Sequence, residues 1–369
     1  MVFSVHIDTA RTWRGGQNQV LLTVRGLRAQ GRRTALVAHG GGELRRRMAE
    51  DPDLYPLTAR SELDLHAAWR LARLLRRLAP DVVHAHDAHA VALAAAGLSL
   101  AGAGLRTRLV AARRVDFSLA RNAFSRWKYR RVDRFICASD AIRSLLETAG
   151  IPPERTTVVY EGVDIERIRA MPALDVRKEF HLPRGAPIVG NVAALVPHKG
   201  QRYLINAAAQ VVRRVPDARF LIAGEGELEA SLRRQIADLH LQKHVLLAGF
   251  RPDIIPLHKG FDLFVMSSTT EGLGTSALDA MACGKAVVAT RAGGLAEVVV
   301  DGATGRLVPV RDAPALADAI VQLLRDATLR ERCGAAGLAR ALNTFDVGRM
   351  VRETHAVYES LASAARGPS

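Results

Sequence analysis

"FDLFVMSSTTEGLGTSALDAMACGKAVVAT", residues 261–290, switches period twice. Leu263 to Met266 is a short unbroken apolar run, the pattern of a strand covered on both faces. A polar loop follows, in which Gly272 and Gly274 permit backbone geometry closed to other residues. From Thr275, a suitable helix cap, to Cys283 the chain reads as a helix, and residues 286–289 return to a buried strand. Strand, helix and parallel strand form a right-handed crossover unit. The stretch also sets one acid, Glu271, in the loop and the next, Asp279, one turn into the helix.

The same alternation extends in both directions. Strands are expected at 2–7, 33–38, 82–85, 108–112, 134–138 and 157–159, then at 187–192, 219–223, 245–248, 263–266, 286–289 and 305–308. Between them lie helical patterns such as "NQVLLTVRGLRAQG" and "AAWRLARLLRRLAP", apolar at i, i+3, i+4 and i+7. Residues 164–185 break the rhythm with prolines and mixed charge and read as a linker. At 369 residues the chain exceeds the size at which one core keeps growing. The fold class is therefore α/β, with two doubly wound Rossmann-like domains at 1–163 and 186–340, and a helical segment at 341–369 that crosses back to the first. Such sheets bind ligands beyond the carboxyl ends of their strands, so a site is expected in a cleft between two facing domains.

No apolar run approaches the ~20 residues needed to cross a bilayer. The opening "MVFSVHIDTA" has no basic region before an apolar core and reads as a first strand, not a secretory signal. Cys137, Cys283 and Cys333 match no metal or disulfide spacing, which suits a reducing cytoplasm. Net charge is +15 and unevenly spread: residues 1–163 carry 26 Lys and Arg against 15 Asp and Glu, a net +11. The run "RRVDFSLARNAFSRWKYRR", residues 113–131, sets Arg121, Arg126, Lys128, Arg130 and Arg131 around Phe124, Trp127 and Tyr129. A basic surface with aromatics suits nucleic acid, an anionic membrane face or an anionic substrate, and it is also what a merely solvated face looks like.

Four clusters fall at strand-to-loop junctions. "HIDTARTWRGGQNQV" puts Gly15 and Gly16 before a helix, where backbone N–H groups meet an anion; the spacing is not the dinucleotide G-x-G-x-x-G. "PDVVHAHDAHA" points His84 and His86 to one face of a strand end, with His89 nearby; a zinc site there would need more ligands than the spacing supplies. "GNVAALVPHKGQRYLINAAAQV" places Lys199 at a helix start, where a cation is disfavoured unless an anion sits beside it. The opening stretch offers a second anion seat at the amides of Gly274, Thr275 and Ser276. Downstream, "TRAGGLAEVV" repeats the loop pattern with Gly293, Gly294 and Glu297.

Together, in this order, the clusters resemble the retaining glycosyltransferases of family 4, which have the two-domain GT-B fold; the resemblance runs from His6 to about Phe345. Glu271 matches the first acid of that family's Glu-x7-Glu motif, and Asp279 stands where the second glutamate would be. His86-Asp87 resembles its functional His-Asp pair, "GGQNQ" its Gly-rich loop near the donor diphosphate, and Lys199 its phosphate-binding lysine. The family often has an arginine five residues before that lysine, where this chain has Ala194, so His198 or an arginine of the first domain would have to replace it. By resemblance Glu271, His86 and Lys199 are the catalytic candidates. Gly15, Gly16, His198, Gly224, Gly226, Phe250, Arg251, Gly274, Thr275, Ser276 and Asp279 are the donor-binding ones, with Phe250 and Arg251 in the base-binding loop.

What this implies is transfer of a sugar from a nucleotide-diphosphate sugar to a hydroxyl acceptor in bacterial surface polysaccharide or lipopolysaccharide synthesis. No cofactor and no metal is expected, because the sequence shows no acidic metal cluster, and no nucleic-acid partner. The acceptor is expected to be lipid-linked and met at an anionic membrane surface, by a cytoplasmic protein peripheral at its inner face. A sugar-nucleotide epimerase of the same shape, and a binder of glycan or nucleotide sugar without catalysis, remain open alternatives.

Overall fold

The structure is a computed structural model that describes residues 2–102, 104–116 and 122–366. The chain divides into two compact units, residues 1–162 with 347–369, and residues 163–346.

Unit 1 is built on a seven-stranded parallel sheet in the order β3-β2-β1-β4-β5-β6-β7. Its strands are β1 Ser4–Asp8, β2 Thr34–Ala38, β3 Leu54–Pro56, β4 Val82–Ala85, β5 Arg108–Arg113, β6 Arg134–Cys137 and β7 Thr156–Val158. β1, β2 and β4 are buried at every position, as expected of strands covered by helices on both faces. One face packs on Leu71 and Leu75 of helix Leu65–Leu78 and on Val91 and Leu93 of helix Ala88–Ala101. The other receives the last helix, Val347–Arg366, whose Met350, Val351, Val357, Tyr358 and Leu361 join Leu22, Val82 and Val110 in one cluster. That approach is close: a Cβ on Gly26 would lie 2.4 Å from Val351 Cγ2, and one on Gly162 would lie 2.7 Å from Val347 Cα.

Unit 2 has a six-stranded parallel sheet in the order β10-β9-β8-β11-β12-β13. These strands are β8 Ile188–Val192, β9 Arg219–Ala223, β10 Val245–Gly249, β11 Leu263–Met266, β12 Val287–Thr290 and β13 Gly305–Val308. Phe220, Ile222, Val265 and Val288 pack against Leu204, Ile205 and Val211 of helix Gln201–Arg214 and Leu316 and Ile320 of helix Ala313–Arg325. Full burial of side chains this size stabilises by about 1.5–3 kcal/mol each. Residues 164–185, read as a linker, belong to this unit. Asp164 and Asp175 cap the short helices Ile165–Ala170 and Val176–Glu179 by accepting from the Arg167 and Lys178 amides.

The basic run of residues 113–131 differs from its reading. Arg121 lies outside the described residues. Lys128 is buried, its Nζ 2.8 Å from Glu62, and Tyr129 packs on the core, so these two members of the aromatic-basic pattern are structural and not surface.

Candidate functional site

In both units the candidates collect where a doubly wound sheet reverses its strand order, between β8 and β11 in unit 2 and between β1 and β4 in unit 1.

In unit 2, β8 ends at Val192 and the chain reaches Lys199 through a 3-10 turn, Pro197–Lys199. Gly200, with φ of 66°, then starts the helix; a Cβ there would lie 2.1 Å from the Ser267 carbonyl oxygen. Ser267 Oγ donates to the Lys199 carbonyl (3.2 Å), and the Thr269 amide to that of His198 (2.8 Å), so the loops after β8 and β11 are tied together. Their meeting brings Lys199 Nζ within 2.6 Å of Glu271 Oε2, which also accepts from Ser268 Oγ at 3.0 Å. Both side chains are largely buried, at 18% and 11% exposure. A partly dehydrated ion pair of this kind is strongly attractive, and each partner fixes the other.

The helix after this loop runs Thr275–Ala282 with Gly274, at φ of 97°, as its cap residue. Thr275, expected to be the cap, is the first helical residue, because only glycine accepts the left-handed turn that precedes it. The first-turn amides of Thr275 and Ser276 are helix-terminal donors, and Ser276 Oγ donates to the Val192 carbonyl at 2.8 Å, fixing that turn on the end of β8. Asp279 is half-buried, and the loss of hydration there pushes its carboxyl up to about 7. The second glycine pair packs from behind: a Cβ on Gly293 would lie 2.0 Å from the Glu271 carbonyl oxygen, and one on Gly294 2.2 Å from that of Gly272.

Gly224 and Gly226, at the end of β9, are glycines for a structural reason. A Cβ on either would meet the carbonyl oxygen of Ala193 (1.9 Å) or Leu195 (2.4 Å). Phe250, just past β10, is 54% exposed, whereas Arg251 is closed into contacts with Asp253 (2.6 Å) and Glu179 (3.0 Å). The Ala194 carbonyl accepts from Gln201 Nε2 at 2.9 Å, so the substituted arginine position is used as backbone.

In unit 1, Gly15 and Gly16 open helix Gly15–Ala29, and the space a Gly16 Cβ would fill is open. Asp87 ties the neighbouring loops together, accepting from the Thr9 amide and hydroxyl (2.7 Å each) and from the Ala90 amide (2.8 Å). Asp8, at the end of β1, accepts from Gln17 Nε2 and the Ala10 amide; burial and then the nearby Asp87 push its carboxyl up to about 6.

His86 lies among residues that the sequence did not connect. Pairing of β1 with β4 sets His6 opposite His84, and the three rings of His6, His84 and His86 are buried with ligand nitrogens within 4.8 Å of one another. His89, considered as a third ligand, instead faces Glu62 at 3.5 Å. The three-histidine spacing would suit a metal, but the hydrogen bonds run another way. Arg114, which can only donate, is 3.1 Å from His86 Nδ1 and is itself held by Glu161 at 2.9 Å. His86 therefore carries its proton on Nε2 and donates to His6 Nδ1 (2.9 Å); His6 Nε2–H then faces Ser4 Oγ (3.3 Å), which donates to Thr34 Oγ1 (3.1 Å). His84 Nδ1 lies 2.5 Å from the Tyr358 hydroxyl. Burial holds all three imidazoles neutral, with His6 lowered to about 3 and His84 and His86 well below their usual range. Both nitrogens of His86 thus have protein partners, so any hydroxyl that reached it would have to meet or displace the Arg114 guanidinium. His6 and Arg114 were missed because their roles depend on strand register across 28 to 80 residues; Asp8 was legible as an acid at a strand end but stood apart from any quoted motif.

Comparison with known proteins bears on the whole chain. Over 213 residues, 55% of this chain and 56% of the relative, it is 36% identical to the GDP-mannose-dependent alpha-(1-6)-phosphatidylinositol monomannoside mannosyltransferase of Mycolicibacterium smegmatis. That match spans little more than half of the relative's length. The lipopolysaccharide core biosynthesis mannosyltransferase LpsB of Rhizobium meliloti is 28% identical over 246 residues, 64% of this chain and 68% of that one. In fold, the chain superposes on HepE of Anabaena, crystallised with UDP-glucose, with a TM-score of 0.84 at 24% identity, covering 98% of this chain and 100% of HepE. That likeness is of the GT-B fold. Residues 13–167 match the family described as glycosyltransferase family 4, and residues 174–340 that described as glycosyl transferases group 1. With both units matched, the chain belongs to glycosyltransferase family 4.

Proposed function

We propose that the protein is a retaining glycosyltransferase that moves a sugar from a nucleotide-diphosphate sugar to a hydroxyl acceptor without a divalent metal. The carrying observation is the Lys199–Glu271 pair at the β8/β11 reversal, beside the first turn of helix Thr275–Ala282. As the anomeric C–O bond breaks, its electron pair stays on the diphosphate while positive charge grows on the sugar ring. An ammonium and helix-terminal amides placed together offset the first charge, and a carboxylate held by that ammonium offsets the second. The acceptor oxygen bonds the anomeric carbon and its proton leaves with the diphosphate.

In this reading Asp279 takes the ribose hydroxyls and Phe250 meets the base, with Arg251 bracing its loop. Gly15 and Gly16 form an anion seat in unit 1, and His86 acts through the Arg114 it orients. No cofactor takes part. The activities of the Mycolicibacterium and Rhizobium relatives support a lipid-linked acceptor in bacterial surface glycolipid or lipopolysaccharide synthesis. Among the described residues no helix is long and apolar enough to cross a membrane. In this reading the enzyme meets its lipid-linked acceptor peripherally, at the cytoplasmic face of a bilayer.

A thermal-shift panel of nucleotide sugars tests the donor, since a ligand that binds only the native state raises the melting temperature. Product analysis then separates transfer, which releases nucleotide diphosphate, from epimerisation, which does not. Glu271→Gln and Asp279→Asn are expected to cripple transfer in folded protein; wild-type turnover in both overturns the assignment.

A further inference from the structure

Among the described residues, the most exposed large apolar side chains of unit 1 do not lie on the aromatic-basic run of residues 113–131. They lie at the start of helix Leu65–Leu78: Leu63 is 68% exposed, Leu65 73% and Trp69 47%. Nothing in the helix's own construction calls for them. Asp64 caps it by accepting from the Ala67 amide, and the inward face is complete with Ala67, Ala68, Leu71, Ala72 and Leu75. An apolar residue just before a cap usually packs against the fourth helical residue. Here that partner, Ala68, is buried while Leu63 stays in solvent.

Leu65 and Trp69 are four apart, so they share the outward face, which continues as Arg70, Arg73, Arg76 and Arg77, all exposed. None of these four arginines forms an ion pair among the described residues. Arg73 lies over the Trp69 ring, Arg77 over Tyr55, and Arg76 donates to the Leu100 and Ala101 carbonyls. An apolar end with an aromatic ring, continued by cations that no ion pair neutralises among the described residues, is complementary to an interface that is apolar below and negative above.

We infer that the outward face of helix Leu65–Leu78 is the surface by which the protein docks on an anionic lipid bilayer, with Leu63, Leu65 and Trp69 entering the headgroup boundary and the arginines meeting lipid phosphates. The inference rests on the membrane-surface reading proposed above and gives it a location. Glu62, held to Lys128 at 2.8 Å, fixes the loop that carries Leu63, so the apolar end is presented on a pinned element.

The test uses the full chain and vesicles of phosphatidylcholine with or without phosphatidylglycerol. Wild-type protein is expected to float with the anionic vesicles and not with neutral ones, more weakly as salt rises. Leu65→Ser/Trp69→Ser should lower binding about tenfold or more, since two large apolar groups no longer leave water. Arg70→Gln/Arg73→Gln should lower it roughly fivefold per arginine. In a Trp13→Phe/Trp127→Phe background, the remaining Trp69 emission should shift to the blue on binding. Each variant should keep the wild-type melting temperature and nucleotide-sugar shift, which reads the transferase proposal separately. Wild-type protein that ignores both vesicles overturns the membrane reading. Wild type and the Leu65/Trp69 variant floating equally overturns this face as the site, as does a dimer that the variant abolishes.

Discussion

Asp279, half-buried, and His258, fully buried, are titratable groups that act on stability in opposite directions. Desolvation raises the Asp279 carboxyl to about 7 from its ordinary value of 3.8. The folded state therefore holds this proton more tightly than the unfolded chain, and stability is greatest below about 4 and is lost as pH rises through about 7. Asp279→Asn should melt above the wild type at pH 8.5, with the gap closing toward pH 5, even though it binds donor worse; a gap that does not depend on pH contradicts the account. His258, on helix Ile254–Gly260, is fully buried between Phe261 and Phe264, and neither ring nitrogen finds a hydrogen-bond partner among the described residues. Burial, then Lys285, lowers it to about 3. Here the unfolded chain binds the proton, so stability is complete above about 6.5 and falls as the solution is acidified toward 3, by ~1.4 kcal/mol per pH unit at most. His258→Phe should flatten acid denaturation by about one proton, which urea melts between pH 4 and 7 will read. At Lys199, replacement by alanine removes one of the charges aimed at the leaving group and should lower turnover by about 10²–10³-fold in a folded enzyme.

Among the elements, the loop after β12 supports the loop after β11 through backbone contact, the Gly294 amide donating to the Glu271 carbonyl. Gly293 has φ of 48°, and a Cβ there would stand 2.0 Å from the Glu271 carbonyl oxygen. Gly293→Ala should therefore displace Glu271 and reduce turnover as severely as a change in Glu271 itself, with donor binding measured by thermal shift falling alongside. This dependence of one loop on another marks the limit of sequence reading here. The strands were legible because β-branched and apolar runs recur at crossover spacing, and the site loops because glycine, lysine and carboxylate cluster at strand ends. β3 escaped notice: it has three residues, includes Pro56, and sits at a sheet edge, where a missing N–H is tolerated. The helices at 165–170 and 176–179 escaped because their charges and the flanking Pro172 and Pro183 imitate a linker, whereas Asp164 and Asp175 are caps. The chain from Glu161 through Arg114 and His86 to Thr34 could not be read at all, since it exists only once β1, β4 and β5 lie side by side.

At the scale of the molecule, unit 1 is assembled from both ends of the chain and unit 2 from the continuous stretch between. The chain enters unit 2 at Val163 and leaves it at Asp346, and these two residues bridge side by side, with the Val163 amide donating to the Phe345 carbonyl at 2.8 Å. Residues 163–346 should consequently fold alone with a cooperative thermal transition, while residues 1–162 alone should not, because Leu22, Val82 and Val110 lose the cover of Met350, Val351 and Tyr358. Gly162→Ala, forced against Val347 backbone, should destabilise unit 1 by about 1–3 kcal/mol. During synthesis the order of completion is set by this arrangement. The first half of the polypeptide emerges early yet must wait, with one side of its sheet only partly covered by helix Gly15–Ala29, until helix Val347–Arg366 clears the ribosome, while the middle portion is already finished. Nascent chains stalled before residue 347 should therefore depend on chaperones in a way that released chains do not.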